Sequence, residues 1–192
     1  MGYHDKQTRM TKEAWRTHFR KQLRATTKAK RKRVSATLLK RLRRSSEYRK
    51  ARWVMFYLAF DGEVQTRPMI QQALADGKRV AVPITLKTKR SLKVAEITTL
   101  KRGLTTGPYG VKQPSPRGAR LVAPGKLDLV VVPGLGFDRQ RVRLGRGKGY
   151  FDRFLGRLSR TVPRIGLAYR FQKVSRLPRF KHDQRVTKVF AA

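Results

Sequence analysis

The chain has 192 residues, of which 48 are Lys or Arg and only 11 are Asp or Glu, for a net charge of +37. It holds 39% apolar residues, enough for a sizeable core, and no cysteine, which excludes a disulfide scaffold, a thiolate metal site and a Cys nucleophile. No apolar run reaches the ~20 residues that span a bilayer, residues 1–30 lack the apolar core of a secretory signal, and the charge attracts nucleic acid, anionic surfaces and polyphosphates without specifying any of them.

Residues 1–10 are polar and read as a frayed start. Residues 11–192 show no internal repeat and no interdomain linker, so a single domain is expected. Thr11 is a plausible cap for a first helix, with Glu13 in its first turn and Trp15, Phe19 and Leu23 along one apolar face. Arg20 and Arg24 pair at i,i+4 on that helix; taken alone, such a pair reads as a solvated cationic face. The dense basic run 28–33 reads as a linker, and residues 34–48 as a second helix through Leu38, Leu39 and Leu42.

Residues 53–58 (WVMFYL) predict a buried strand, and 59–62 a turn, with Glu63 just past it. A third helix is expected from a Thr66 cap, with Pro68 in its first turn and Gly77 ending it. Residues 79–83 predict the next strand. Strand, helix, strand is a βαβ unit, and such units build parallel sheets covered by helices. A more exposed strand is expected at 92–97, and a loop over 103–116. Tyr109 lies in that loop, either as a stacking platform or as a turn aromatic.

Residues 127–132 form a near-continuous apolar run that Pro133 stops. A glycine-punctuated basic loop follows and opens into a helix at Tyr150, with Asp152 in its first turn. Strand, glycine loop and helix start together offer backbone N–H groups to a phosphate. Gly145, Gly147 and Gly149 alternate with Arg146 and Lys148, after Arg143. This is not a P-loop, because the last glycine follows the lysine. Nor is it a dinucleotide fingerprint, because about a dozen residues separate it from its strand. The alternatives are a phosphate cradle and a flexible RNA-contacting loop. Beside bound phosphates Asp152 would be a natural Mg2+ ligand; otherwise it is a helix-start aspartate favoured by the dipole. Residues 164–169 predict another strand, and 172–174 and 186–190 short closing strands. His4, His18 and His182 are too scattered for a metal cluster, His182-Asp183 reads as a polar pair, and no Ser/His/Asp constellation is present.

VPGLGFD at 132–138 followed by RLGRGKGYFD at 143–152 resembles the 5-formyltetrahydrofolate cyclo-ligase family, whose pattern there is close to PGxxFDxxGxRLGrGxGYYDrfL. RKQLR at 20–24, FYLAFDGEVQT at 56–66, GKRVAVP at 77–83, YGVKQP at 109–114, GLAYRFQ from 166 and LPRFKHD from 177 agree in order. The resemblance implies an α/β fold, a three-layer α/β/α single domain with a mainly parallel sheet preceded by N-terminal helices. It implies ATP-dependent closure of 5-formyltetrahydrofolate to 5,10-methenyltetrahydrofolate, through a phosphorylated formyl group and with release of ADP and phosphate. Mg2+ would assist, ATP and a reduced folate would be the bound partners, and a cytoplasmic monomer is expected.

By position, Arg20, Lys21 and Arg24 would hold ATP, with Arg143, Leu144, Gly145, Arg146, Gly147, Lys148, Gly149, Tyr150 and Phe151 around its phosphates. Leu58, Glu63 and Tyr109 would hold the folate, bordered by Arg146 to Tyr150. Arg146, Lys148 and Tyr150 would be catalytic, and Asp152 would bind the metal. The chain departs from the pattern at Gln140-Arg141-Val142, where a glycine is usual, and at Phe151, where a tyrosine is usual. Thr187 stands where the resemblance implies a second aspartate ligand. Those departures and the charge keep open a second expectation, a weakened relative that binds RNA or a ribonucleoprotein, with nonspecific nucleic-acid binding in either case.

Overall fold

The computed structural model describes residues 10–192; the frayed start expected over 1–10 lies, but for Met10, outside the described residues, as does His4. Helix α1 (Lys12–Ala25) begins where the Thr11 hydroxyl accepts from the Ala14 N–H, and it buries Trp15, Phe19 and Leu23. Helix α2 (Lys28–Arg44) follows almost at once, capped by Thr27. The basic run 28–33 is therefore not a linker but the start of a helix. Lys and Arg are good helix formers, and Val34, Leu38 and Leu42 supply the buried stripe. The second helix stops short of Tyr48, because Ser45 is extended and caps a separate short helix, α3 (Ser46–Lys50).

Strand β1 (Trp53–Met55) is shorter than the apolar run that predicts it. One more ladder bond follows, from Phe56 N to Ala81 O at 2.9 Å, and the chain then leaves the sheet. Thr66 occupies the cap position of α4 (Arg67–Ala75) but makes no side-chain cap bond. Its hydroxyl instead donates to Tyr57 O at 2.5 Å and accepts from Ala59 N at 3.3 Å, tying down the segment after β1. Strand β2 (Arg79–Leu86) pairs antiparallel with β3 (Ser91–Ile97), which is less exposed than expected, since Leu92, Val94, Ala95 and Ile97 are buried.

The loop expected over 103–116 contains a small hairpin, β4 (Leu104–Thr106) and β5 (Lys112–Pro114), with Tyr109 at its tip. After β6 (Leu129–Val132), the glycine loop likewise holds two short strands, β7 (Gly136–Asp138) and β8 (Arg143–Leu144). Helix α5 (Tyr150–Leu155), β9 (Arg164–Ala168), β10 (Lys173–Val174) and β11 (Lys188–Ala191) complete the chain. Of the two expected closing strands, only β11 joins the main sheet; β10 pairs with β7.

The main sheet has the order β11-β9-β6-β1-β2-β3 and is parallel except at β3. Side chains alternate between its faces. Val54, Val80, Val131 and Ile165 meet α1, α2 and α4 on one face. Met55, Ala81, Val130 and Ala168 meet Phe154, Leu155 and Leu158 on the other. The expected three-layer α/β architecture is present, with one thick helical layer and one thin one.

The connectivity places the site. From β1 the chain passes through α4 to β2 on one side. From β6 it passes through α5 to β9, then β11, on the other. The direction reverses between β1 and β6, and open α/β sheets bind ligands outside the carboxyl ends of strands at such a switch. Gly62 holds the β1 side of this point close to α1. Its φ is +83°, and a Cβ there would lie 2.5 Å from Leu23 O, so only glycine fits.

Candidate active site

A cleft of about 300 Å3 opens at the switch point. Its walls are the segment after β1 (Tyr57, Leu58, Glu63), the segment after β6 (Pro133 to Leu135) and the glycine loop. Arg20 and Tyr109 border it from outside the sheet.

Arg146 spans the cleft. Its Nε donates to Glu63 Oε1 at 3.1 Å, Nη1 to Asp61 Oδ2 at 3.2 Å and Nη2 to Phe60 O at 3.3 Å. The glycine loop is thus fastened to the turn that Gly62 positions. Glu63 is buried; burial pushes its carboxyl above the usual range, opposed by the Arg146 guanidinium and by the Phe60 N–H on Oε2.

Arg143 does something different. It is buried behind the loop, donating from Nη1 to Pro133 O at 3.2 Å and from Nη2 to Asp152 Oδ1 at 2.6 Å. Gln184 N also reaches Asp152 Oδ1, at 3.3 Å. Among the described residues no donor reaches Asp152 Oδ2, so one carboxylate oxygen stays available on the cleft wall.

Helix α1 supplies cations that close the loop from above. Arg16 Nε donates to Gly145 O at 3.1 Å and Arg20 Nη2 to Arg146 O at 3.4 Å, while Glu13 bridges the two guanidiniums. Arg16 was not among the expected site residues, although it extends the Arg20, Arg24 series by one turn. Gly147 faces Arg16, and its φ of +103° lets the backbone pass beneath that side chain. Across the mouth, Tyr109 and Tyr150 meet hydroxyl to hydroxyl at 3.5 Å, a bond that raises the Tyr150 phenol above its usual value. Tyr109 adopts a left-handed φ of +63°, and strain of this kind gathers at ligand-contacting sites.

The cleft therefore gathers Leu58, Glu63, Tyr109, Arg20, Gly145, Lys148, Gly149, Phe151 and Asp152 around Arg146 and Tyr150. It does not gather every expected residue. Lys21 is exposed on another side of α1 and is not part of the lining. Arg24 is also exposed and pairs with Asp61 on the outer side of the turn, at 3.4 Å. Leu144 is buried, its carbonyl taken by Leu135 N.

Thr187 is the largest correction. It lies just before β11, beside the start of β9, where its hydroxyl accepts from Arg164 N at 2.9 Å and donates to Arg164 O at 3.0 Å. The cleft lies beyond the other ends of the strands, so Thr187 does not stand opposite Asp152. Thr187→Asp is expected to leave turnover unchanged and to lower thermal stability, because an aspartate cannot donate to Arg164 O. A gain in turnover in a steady-state assay would contradict this placement. The expected polar pair His182-Asp183 is resolved as an ion pair of Asp183 with Lys12 at 2.5 Å.

Could the site hold Mg2+? No group of three or more His, Cys, Asp or Glu gathers as a metal cage among the described residues. Mg2+ needs no such cage when phosphates and water complete its octahedron. One carboxylate with an unengaged oxygen, beside Lys148 and Arg146, fits a metal carried in by a polyphosphate. Helix α5 has six residues, so the cations carry more of the anion attraction than its dipole does.

The sequence model of the 5-formyltetrahydrofolate cyclo-ligase family matches residues 8–192. The 5-formyltetrahydrofolate cyclo-ligase of Mus musculus is 28% identical over 186 residues, 93% of this chain and 92% of the mouse protein. That of Haemophilus influenzae is 30% identical over 137 residues, 69% of this chain and 71% of the relative. The solution structure of Aquifex aeolicus 5,10-methenyltetrahydrofolate synthetase superposes with a TM-score of 0.82 at 28% identity, covering 95% of this chain and 90% of that one.

Proposed function

This chain belongs to the 5-formyltetrahydrofolate cyclo-ligase family, and we propose that residues 11–192 act as one unit that closes 5-formyltetrahydrofolate to 5,10-methenyltetrahydrofolate at the expense of ATP. The observation that carries this reading is the convergence of Arg20, Glu63, the glycine loop and Asp152 on one switch-point cleft.

The formyl oxygen attacks the γ-phosphorus of ATP, and the bond to the β-phosphate oxygen breaks, releasing ADP. The folate N10 lone pair then attacks the activated formyl carbon. The carbon–oxygen bond breaks, phosphate leaves with the former formyl oxygen, and the N10 proton goes to that phosphate. No enzyme nucleophile is needed, in keeping with a chain that has no cysteine.

The protein works by placement and charge. Arg16, Arg20 and Lys148 surround the phosphates with the loop from Gly145 to Phe151. Arg146, held between Glu63 and Asp61, aims its charge at the transferring phosphoryl group. Glu63 and Leu58 receive the pterin end, and Tyr109 and Tyr150 pack over the folate at the mouth and exclude water. A Mg2+ ion, held by Asp152 and ATP oxygens, would neutralise phosphate charge during transfer. Arg143 fixes Asp152 rather than touching phosphate.

Purified protein with Mg-ATP and 5-formyltetrahydrofolate should show the absorbance of the methenyl product rising in step with ADP. No turnover at saturating substrates would overturn the reading, and ADP release without the absorbance change would overturn its cyclisation step.

A further inference from the structure

We infer that the outer face of α2 and α3 is a docking surface for the phosphate backbone of a nucleic acid, separate from the cleft. Nine of the 17 residues of α2 are Lys or Arg and none is acidic. Its apolar stripe is fully used in the core, so the rest of the helix is polar surface. Some of its cations fold back onto the protein. Arg31 donates to Thr26 O at 2.8 Å, Arg41 lies 4.8 Å above the Phe190 ring, and Arg43 forks onto Asp76.

Lys28, Lys32, Lys40 and Arg44 do not fold back. All are exposed, and among the described residues none has an acidic partner within 4.0 Å. They fall at multiples of four, on a ridge that slants about 40° around the exposed side of the helix at each step and climbs roughly 24 Å along its axis. Like charges at i,i+4 repel, so Lys28 against Lys32 and Lys40 against Arg44 destabilise the free helix. A polyanion laid along the ridge removes that repulsion and releases its own counterions.

The ridge ends in a depression. Lys40 and Arg44 enter an open concavity of about 590 Å3, with Arg49 and Lys78 on its other walls. Its single carboxylate, Asp76, is already engaged by Arg43, by the Tyr48 hydroxyl at 2.7 Å and by Gln72 at 2.8 Å. The concavity lies beside the residues that precede β1 and β2, at the opposite end of the sheet from the cleft. Occupying one surface therefore leaves the other open.

A nucleic acid fits this face better than a membrane does. Interfacial helices bury an apolar face in lipid, whereas that of α2 is in the core. The exposed large apolar residues among those described are Tyr109, Leu121 and Phe180, none on α2 or α3. With no exposed aromatic to stack on bases, binding would not depend on sequence.

The test is fluorescence anisotropy with a labelled oligouridylate over a salt series. One variant carries Lys28→Gln, Lys32→Gln, Lys40→Gln and Arg44→Gln. A control removes equal charge from exposed loops elsewhere, with Lys87→Gln, Lys89→Gln, Arg102→Gln and Arg117→Gln. Losing four phosphate contacts should flatten the log–log salt slope by about 3, and the control should change it by less than about 1. Equal losses in both variants would show diffuse attraction and overturn the proposal. So would unchanged affinity in the first variant, or a ridge-dependent affinity for phosphatidylserine vesicles but not for RNA. Turnover and melting temperature relative to the parent confirm that both variants fold.

Discussion

Arg146→Ala lowers turnover by at least about a thousandfold, because the guanidinium both charges the cleft and fastens the glycine loop. Its three contacts, to Glu63, Asp61 and Phe60, join segments 83 to 86 residues apart, so no neighbouring cation takes its place. Stability falls as well. Breaking a fully buried pair costs about 3–5 kcal/mol, but Arg146 is 32% exposed and solvent screens the pair, so about 1–2 kcal/mol is expected. The effect has a pH signature. Burial already raises the Glu63 carboxyl in the folded state, and Arg146 opposes that shift. Without Arg146 the folded carboxyl rises further above its unfolded value. The ionised form then opposes folding, so the deficit is largest above the raised value and shrinks as pH falls through it. Urea denaturation from neutral to mildly acidic pH checks the sign. Adding Glu63→Gln should remove the pH dependence and leave turnover absent. An Arg146→Ala variant within tenfold of the parent rate would refute the role given to this residue.

Asp152→Ala is the second large effect, and its comparison with Asp152→Asn separates two roles. The Arg143 and Asp152 side chains are only 3% and 14% exposed and meet at 2.6 Å. Truncation leaves a buried guanidinium without its counter-charge, at a cost of about 3–5 kcal/mol. The melting temperature should fall by roughly 10 °C. Asparagine keeps an oxygen for Arg143 and for Gln184 N, so its stability loss should be less than half as large. Its turnover should still fall by about a hundredfold or more, since the amide no longer offers the anionic oxygen that the proposed metal ion would need. Calorimetry and initial rates on the two variants decide the matter. If Asp152→Asn turned over like the parent, the carboxylate would be structural only.

The parts of the fold legible in the sequence are those set by burial. The apolar run at 127–132 and the strand–helix–strand pattern at 53–83 announce a parallel sheet, because strands covered on both faces cannot alternate. The charge of 28–33 suggests a linker, but helix propensity and the Thr27 cap prevail over repulsion there. The short strands β7 and β8 are hidden because glycine and arginine are weak strand formers, and tertiary pairing makes the strands. Within the site, the loop and Glu63 are legible because spacing along the chain defines them. The division of labour among the arginines is not. Arg143 and Arg146 look alike in sequence, yet one is buried behind Asp152 and the other spans the cleft. The distance of Thr187 along the chain from the His182-Asp183 pair does not reveal which end of the sheet it occupies.

The contacts between α1 and the glycine loop bear on how the enzyme comes into being. Arg16 and Arg20 meet partners 129 and 126 residues later, and Lys12 meets one 171 residues later. A growing chain on the ribosome exposes α1 long before any of these partners exists. Its Trp15, Phe19 and Leu23 stripe must then wait, sheltered only by local neighbours or a chaperone. The loop-closure entropy is offset only when the late strands arrive. The cleft is thus among the last features to form, and a nascent chain stalled before β8 has no glycine loop to close it.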